Sequence, residues 1–515
     1  MLDRGCPSDG IRAGLHRGHH LTSRSMSGRQ DHYWEQQRGR LRTRHHQADD
    51  AEPVQAGGNT GDVDLACPEP HIEAGDASAD AHADVRQSSE ESSVRRPLGV
   101  VLLGALCIAI LTNGPSVFMA IRIAGDPLSF ESTWFFLPFF GVAAIGLVGF
   151  ARQWKEVLAV RFASAIIGFT IALLLISNLW STAPTLSPQR SVITVGIILF
   201  GAVLGTLCTL SELSRIVFYG ASIPILASAA VVALWPEIGL MGPDQFGFDQ
   251  GFYQGIFANR NSLGPVAALV LVSTPPLLAD LRSRRWPPLI TQYSLVSIAC
   301  AAWMAVGSRS TTPVVAVIIG VGVSGVVWIA RRTLRGRISG ATAATGAAGF
   351  AVLSVVLVFV NLERLMSLVG AEATLTNRRT IWRAVRSLIA DRPLTGYGFW
   401  GVWNSSELPA SALPPGYDSA HNSILEMAVG TGVVGGIAIT VFLGASCVAA
   451  VRYMWLHGGL LAGWLAAMTV FLVVEHTTES FVLWYSYNLA LVTAALYAGT
   501  RSMQRVADED PPGRR

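Results

Sequence analysis

Charged residues are scarce in this chain of 515 residues, and lysine is almost missing. Asp, Glu, Lys and Arg together make up 14% of the sequence against 51% hydrophobic residues, and Lys155 is the only lysine. The remaining basic residues are arginines that lie between apolar runs and form no continuous basic stripe, so the sequence predicts no nucleic-acid partner.

Several catalytic signatures are also missing. The chain has no Walker loop, no aspartate pair of the metal-dependent sugar-nucleotide transferases, no HExxH motif and no Gly-x-Ser-x-Gly elbow in a strand–turn–helix context. Its six cysteines show neither the spacing of a zinc site nor a disulfide framework. Acidic residues lie almost entirely at the ends of the apolar runs, which disfavours a proton-coupled transporter. The sequence therefore predicts no metal site and no cofactor.

Two regions of different composition follow one another along the chain. Residues 1–96 are polar and hold eight of the eleven histidines, which predicts a disordered cytoplasmic tail. From residue 97 to 500, apolar runs of bilayer length succeed one another, and a 30 Å hydrocarbon layer takes roughly 20 helical residues. Since these runs are continuous rather than alternating, we predict an all-α class: a polytopic transmembrane helical bundle of about twelve spans. The predicted spans are 98–120, 132–150, 158–178, 191–210, 216–235, 263–281, 289–307, 313–330, 341–360, 422–450, 459–475 and 481–499, followed by a cytoplasmic tail at 501–515.

The arginines predict the orientation of this bundle in the plasma membrane. Basic residues concentrate in alternate links between the spans, and such links face the cytoplasm. Both termini are then cytoplasmic, and the long link 361–420 is extracytoplasmic. The links assigned to the inside carry Arg152, Lys155, Arg161, Arg215, Arg282, Arg284, Arg285, Arg331, Arg332, Arg335, Arg337 and Arg452.

The long external link contains one amphipathic segment. Thr376 and Asn377 can cap a helix that runs to about residue 391, where Pro393 stops it. Its predicted apolar face carries Trp382, Val385 and Ile389, and its basic face carries Arg379, Arg383 and Arg386. Two interpretations remain open, because such a basic face either lies against anionic lipid headgroups or presents arginines to a substrate.

His421 lies where the long external link re-enters the membrane. Only three histidines occur after the tail, and this one stands in the motif AHNSILE at 420–426. Imidazole titrates near neutral pH and can take a proton from a hydroxyl group, so His421 is a candidate catalytic base. The alternative is a histidine at headgroup level that caps a helix.

Four arginines on the predicted external side are candidates for binding an anion: Arg260, Arg309, and the adjacent Arg378 and Arg379 at the start of the loop helix. Their external position is opposite to the positive-inside bias. Placing an arginine at the edge of the membrane also costs free energy unless its charge has a partner. Arginine binds phosphate oxygens bidentately and keeps its charge, so several arginines in one cavity could hold a diphosphate and stabilise it as a leaving group. Taken singly, each arginine is better explained as a headgroup contact than as a catalytic residue.

Taken together, these motifs resemble the O-antigen ligase and polymerase family, from about Trp180 to Gly436. The order and spacing of the stretches, and their places relative to the spans, carry the resemblance. One departure is Arg260, where the family frequently has Lys, and another is Asn377, where it usually has Gly. The matching stretches are LWSTAP at 179–184, GIFANRNSLG at 255–264, GSRS at 307–310, LTNRRTIW at 375–382, RPLTGYG at 392–398 and AHNSILE at 420–426 with the glycines that follow.

The resemblance implies a GT-C-like membrane glycosyltransferase that uses no metal. Such enzymes take a glycan from an undecaprenyl-diphosphate carrier, at the outer face of the plasma membrane among its lipids, and join it to a hydroxyl acceptor on a lipid, glycan or protein. His421 then resembles the base that activates the acceptor, and Arg260, Arg309 and Arg378 resemble the residues that bind the carrier diphosphate. Asn422 and Glu426, in the same motif as His421, are predicted to contact substrate.

Three alternatives stay open at this point. The enzyme is either a ligase, which moves a finished glycan, or a polymerase, which joins repeat units on carriers. A third reading, from another class, is a transporter or flippase of lipid-linked saccharides that makes no bond. Only an enzyme needs a catalytic base, so His421 is the position that separates these functions.

Overall fold

The structure is a computed structural model that describes residues 98–113, 133–242, 251–284, 286–333, 374–404, 419–480 and 486–509. Over these residues the regular structure is helical, and the β contact present is an isolated antiparallel bridge between Leu240 and Tyr253. The predicted all-α class is confirmed. In chain order the helices are α1 (Leu98–Leu111), α2 (Thr133–Ala159), α3 (Arg161–Ile176), α4 (Leu186–Leu207), α5 (Leu210–Leu234), α6 (Pro236–Gly239), α7 (Arg260–Ser283), α8 (Pro288–Ser308), α9 (Thr311–Thr333), α10 (Thr374–Asp391), α11 (Ser423–His457), α12 (Gly459–Thr478) and α13 (Tyr487–Glu509).

Nine of the described helices are long and apolar enough to cross a membrane, so the protein is a multi-pass membrane protein. They are α2 to α5, α7 to α9, α11 and α12. Of the twelve predicted spans, 341–360 lies outside the described residues, as does the predicted tail 1–96. Helix α13 covers most of the predicted last span and continues to Glu509, so it extends into the segment that was predicted as a tail.

Helix α4 lies in the interior of the bundle, and its small residues let neighbouring helices approach closely. A Cβ added at Gly196 would overlap Ala143 of α2, and one added at Gly201 would overlap the Ala490 carbonyl of α13. Helices in lipid associate through such close packing, because lipid tails are as apolar as leucine side chains. Helices α2, α3, α8 and α9 instead leave most of their spans exposed at the outside of the bundle.

Basic residues gather at one end of the bundle. Arg215 near the start of α5 forms an ion pair of 2.9 Å with Asp280 near the end of α7. Arg331 at the end of α9 donates to the Trp455 carbonyl at the end of α11, and Arg501 of α13 donates to the Thr206 carbonyl at the end of α4. These helix ends correspond to the links that the sequence assigns to the cytoplasm.

The candidate residues lie at the opposite end. Ser324 on α9 donates to the Gly463 carbonyl on α12, and Gly320 on α9 packs against Ala467 on α12, so these two helices run antiparallel. The start of α9 is therefore at the same end as the end of α12. Ser310 donates to Asn261 at 3.3 Å, which brings the start of α7, with Arg260, to this end as well.

A break in α11 receives the turn that follows α10. Around Thr431 and Gly432 the helix loses its regular dihedral angles. The carbonyl of Val429 accepts from the Tyr397 amide, while the Val433 amide donates to the Pro393 carbonyl. In a continuous helix Val433 would instead donate to Val429. Backbone groups of the turn therefore replace one hydrogen bond of the helix, and this fixes α10 against α11.

Candidate active site

His421 lies immediately before α11 and faces a carboxylate. Its Nδ1 is 2.7 Å from Oε2 of Glu479, which follows the end of α12, and its side chain is 30% exposed. The backbone of His421 has a φ of 46°, in the left-handed region that a residue other than glycine seldom adopts. Such a conformation persists where surrounding contacts hold it, and it is frequent at functional sites.

The N-cap of α11 is Asn422, not His421. Its Oδ1 accepts from the amides of Ile424 and Leu425, which would otherwise lack a partner in the first turn. This finding removes helix capping as the explanation for His421. The cap leaves the imidazole outside the helix, where its only described hydrogen bond is to Glu479.

The start of α11 is joined to the end of α12 by further hydrogen bonds. The Asn422 side-chain amide donates to the Thr477 carbonyl at 2.9 Å. The Ser423 hydroxyl donates to the Glu479 carbonyl and lies 2.8 Å from Nδ1 of the buried His476. These contacts fix the backbone beside His421 to the backbone at Glu479.

Glu479 holds a second partner besides the histidine. Its Oε1 is 2.6 Å from the Arg378 guanidinium at the start of α10, and the side chains of the two residues are 17% and 13% exposed. Burial by itself would raise the pKa of Glu479, but the charges of Arg378 and His421 outweigh burial and lower that pKa below its ordinary value. The carboxylate is therefore ionised at neutral pH and accepts hydrogen bonds from both sides.

Glu479 was not among the residues predicted from the sequence. The only signal for it was its position in the short gap between the predicted spans 459–475 and 481–499. Nothing in the sequence distinguished it from the neighbouring Glu475. In the structure Glu475 is fully buried within α12, whereas Glu479 contacts both candidate residues.

Glu426 is buried one turn into α11. It accepts hydrogen bonds from the Trp403 indole at 2.9 Å and from the Ala420 amide. These contacts hold the residue that precedes His421, so they support the position of the histidine. The prediction that Glu426 contacts substrate stays a prediction, and the same holds for Asn422.

Arg260 and Arg309 form a second pair at the same end of the bundle. Arg260 donates to the Arg309 carbonyl at 2.9 Å, and both guanidinium groups lie over the Phe252 ring, at 4.9 and 5.1 Å from its centroid. Arg309 ends α8 with a φ of 47°, which turns the chain directly into α9. The structure thus joins Arg378 to His421 through Glu479, and it joins Arg260 to Arg309 through Phe252.

A fourth arginine at this end was not singled out from the sequence. Arg190, on the first turns of α4, is buried between the rings of Phe136 and Trp400, with its guanidinium carbon at 4.0 and 4.2 Å from their centroids. Trp400 itself has a φ of 66°. Stacking of this kind is favourable for a guanidinium that has left water.

The loop helix α10 differs from its prediction in two respects. It begins at Thr374, so Thr376 and Asn377 lie in its first turn rather than at its cap. Its fully buried face is Ile381, Val385 and Leu388, rather than Trp382, Val385 and Ile389. The buried stripe follows the packing of α10 against α11, which spacing within the helix cannot reveal.

Trp382 is partly buried and connects the loop helix to the histidine segment. Its indole donates to the Ala420 carbonyl at 2.9 Å, directly before His421. On the other side of α10, Arg383 and Arg386 are exposed. Since Glu426 also binds Ala420, the residue before the histidine is held at both its amide and its carbonyl.

A family comparison covers most of this arrangement. Residues 296–440 match the O-antigen ligase family model. The chain carries an O-antigen ligase domain. The match includes Arg309, Arg378 and His421, whereas Arg260 and Glu479 lie on either side of it. A search of curated proteins finds no match to the chain. The predicted family is confirmed, and with it glycan transfer of the O-antigen ligase type as the general activity of this membrane domain.

Proposed function

We propose that this O-antigen ligase domain protein transfers a glycan from an undecaprenyl-diphosphate carrier to a hydroxyl acceptor, with His421 as the catalytic base. The observation that carries the proposal is the contact between His421 Nδ1 and Glu479 Oε2, made beside Arg378. An ionised carboxylate can only accept hydrogen bonds, so Nδ1 carries a proton, and the form that can act as a base is the imidazole without a second proton. The lone pair is then on Nε2, which can take the acceptor proton.

In the proposed reaction the acceptor oxygen attacks the anomeric carbon of the donor sugar. The hydroxyl proton goes to Nε2 of His421, and the bond between the anomeric carbon and the diphosphate oxygen breaks. The diphosphate leaves with the bonding electron pair. His421 is oriented for its part by Glu479, which also stabilises the imidazolium that forms.

The arginines are proposed to bind the donor diphosphate. Arg378 adjoins the base, and Arg260 and Arg309 lie at the same end of the bundle. Guanidinium groups bind phosphate oxygens in a fixed fork and stabilise the charge that develops on the leaving group. Since the arginines supply this positive charge, the proposed reaction needs no metal ion.

Asn422 and Glu426 are proposed to act by positioning His421. The side-chain oxygen of Asn422 caps α11, and both carboxylate oxygens of Glu426 accept hydrogen bonds from the protein. Both residues thereby fix the backbone next to the imidazole. Their contacts favour this role over direct binding of substrate.

The active end is proposed to face the outside of the plasma membrane. The opposite end carries Arg215, Arg331 and Arg452, and short basic links face the cytoplasm. The acceptor hydroxyl can belong to a lipid, a glycan or a protein, and the proposal covers both a ligase and a polymerase. A flippase of lipid-linked saccharides would move the carrier without using a base.

The test is the variant His421→Ala, assayed with purified protein and a lipid-linked glycan donor. We expect transfer to fall by about 10²- to 10⁴-fold, the usual contribution of a general base. His457→Ala is the matched control, because this histidine lies at the basic end and contacts Ser502. We expect it to transfer glycan at a rate close to wild type. Wild-type turnover by His421→Ala would exclude His421 as the base and would favour the flippase.

A further inference from the structure

One carboxylate is shared by two residues to which the proposed function gives different tasks. Glu479 holds the Arg378 guanidinium on one oxygen at 2.6 Å and the His421 ring on the other at 2.7 Å. Arg378 is assigned to the donor and His421 to the acceptor. Any ligand that changes the first contact therefore acts on the group that orients the base.

A diphosphate and Glu479 compete for the same guanidinium. The side chain of Arg378 is 13% exposed, and its terminal nitrogen Nη2 is directed at the carboxylate. An arriving diphosphate brings further negative charge to this point, and like charges at such a distance repel. Phosphate oxygens also match the guanidinium fork as well as a carboxylate does. A bound diphosphate can therefore replace the Glu479 carboxylate as the partner of Arg378.

We propose that Glu479 couples the donor site to the base: a bound diphosphate draws Arg378 away from this carboxylate, which then interacts with His421 alone. This inference rests on the proposed function. Before the donor binds, the carboxylate of Glu479 is shared between the Arg378 guanidinium and Nδ1–H of the His421 imidazole. Afterwards it is directed at Nδ1–H of the imidazole, so the base is fully supported only when a donor is present. Glu479 is thus a positioning residue that touches neither substrate.

The variant Glu479→Gln separates this coupling from a merely structural role. It removes the charge that competes for Arg378, so geranylgeranyl diphosphate, used as the probe, should bind about three- to tenfold more tightly in calorimetry on detergent-purified protein. The same change deprives His421 of its ionised partner, so glycan transfer should slow by at least about tenfold. We expect donor KM and kcat both to fall. If Glu479 only supported the fold, its replacement would lower both the affinity for the diphosphate and the rate of glycan transfer.

Two further variants control this experiment. Glu426→Gln also removes a buried carboxylate near the start of α11, but Glu426 binds Trp403 and Ala420 rather than Arg378, so tighter diphosphate binding is not expected. In an Arg378→Gln background, adding Glu479→Gln should no longer change the affinity, because the competition has been removed. Glu479→Asn, which deletes the same charge, serves if the glutamine variant is not recovered folded.

The outcomes distinguish the coupling from the proposed function itself. Unchanged or weaker diphosphate binding by both Glu479 variants overturns the coupling. If His421→Ala is inactive in the same set of experiments, the proposed transfer reaction still stands. Full activity of His421→Ala overturns the base assignment whatever the binding data show. Tighter binding that persists in the Arg378→Gln background also overturns the coupling, because the effect would then not pass through Arg378.

Discussion

Glu479 brings together residues that are far apart in the sequence, since Arg378, His421 and Glu479 come from three different helices or their ends. A carboxylate that accepts hydrogen bonds from a guanidinium and an imidazole is stabilised in its charged form, and this outweighs the opposing effect of burial. The pKa of Glu479 is accordingly lowered below its ordinary value of 4.5. The same charge orients the imidazole and fixes which nitrogen is protonated.

The lowered pKa of Glu479 predicts how the stability of the site depends on pH. A carboxyl group whose pKa is lower in the folded state stabilises the fold above its unfolded pKa, and this contribution is lost as the pH falls through the folded pKa. We therefore expect the wild-type protein to melt at a higher temperature than Glu479→Gln at pH 7. The gap should begin to narrow as the pH falls through about 4.5, and it should close once the pH is below the lowered pKa of folded Glu479.

Thermal unfolding of both proteins in detergent between about pH 7 and pH 3 measures this difference. Glu426→Gln is measured in parallel. It shows how the melting temperature depends on pH when the missing carboxylate is one that does not contact Arg378. A gap that stays constant over the whole range would show that the charge of Glu479 does not stabilise the fold.

At the scale of elements, the exchange of backbone hydrogen bonds between α11 and the turn after α10 determines where the loop helix lies. Gly432 has a φ of 76°, and a Cβ there would overlap the Leu394 carbonyl. Only a residue without a side chain fits this position, because both the dihedral angle and the space are restricted. In this position the loop helix places Arg378 within hydrogen-bond distance of Glu479, and Trp382 within hydrogen-bond distance of the Ala420 carbonyl.

Gly432→Ala should therefore displace the turn and loosen the site. We expect a loss of about 1–3 kcal/mol in stability, the usual cost of a strained backbone conformation, together with a lower transfer rate. Gly444→Ala is the matched control in the same helix, since a Cβ there meets no atom within 4 Å. Thermal unfolding and the transfer assay on both variants make the comparison. Equal behaviour of the two variants would show that the break in α11 tolerates a side chain.

At the scale of the whole molecule, the two ends of the bundle differ in how their charges are used. At the basic end, arginines pair with Asp280 or with helix C-terminal carbonyls, which are ordinary stabilising contacts. At the other end Arg190, Arg260 and Arg309 lie against aromatic rings, and Arg378 shares a carboxylate with a histidine. At this second end the cations lie around His421, the proposed base, and around the carboxylate that contacts it.

The orientation of the bundle can be tested by labelling single cysteines in whole cells. Ser387 on α10 and Arg452 near the end of α11 are both exposed, at opposite ends. We expect Ser387→Cys to react with a membrane-impermeant maleimide in intact cells, and Arg452→Cys to react only after the membrane is opened. The unmodified protein, with its own six cysteines, gives the background. The reverse pattern would place the proposed active end in the cytoplasm.

The membrane character and the helical class follow from the amino-acid sequence alone, because the length and apolarity of a span are local properties that the bilayer dictates. The sequence also located the segment around His421, where a long link meets a span. It could not assign Glu479, since nothing local distinguishes this residue from Glu475. Only the packing of α10, α11 and α12 decided which acid meets Arg378 and His421.

The buried face of α10 was likewise decided by its partner rather than by its own periodicity. Arg190 shows the same limit, because a single arginine beside an apolar run gives no indication of the two rings that enclose it. The spans depend on how each residue interacts with the surrounding lipid, and this is a property of the local sequence. The site follows from contacts between residues distant in the chain, and these exist only once the helices have packed.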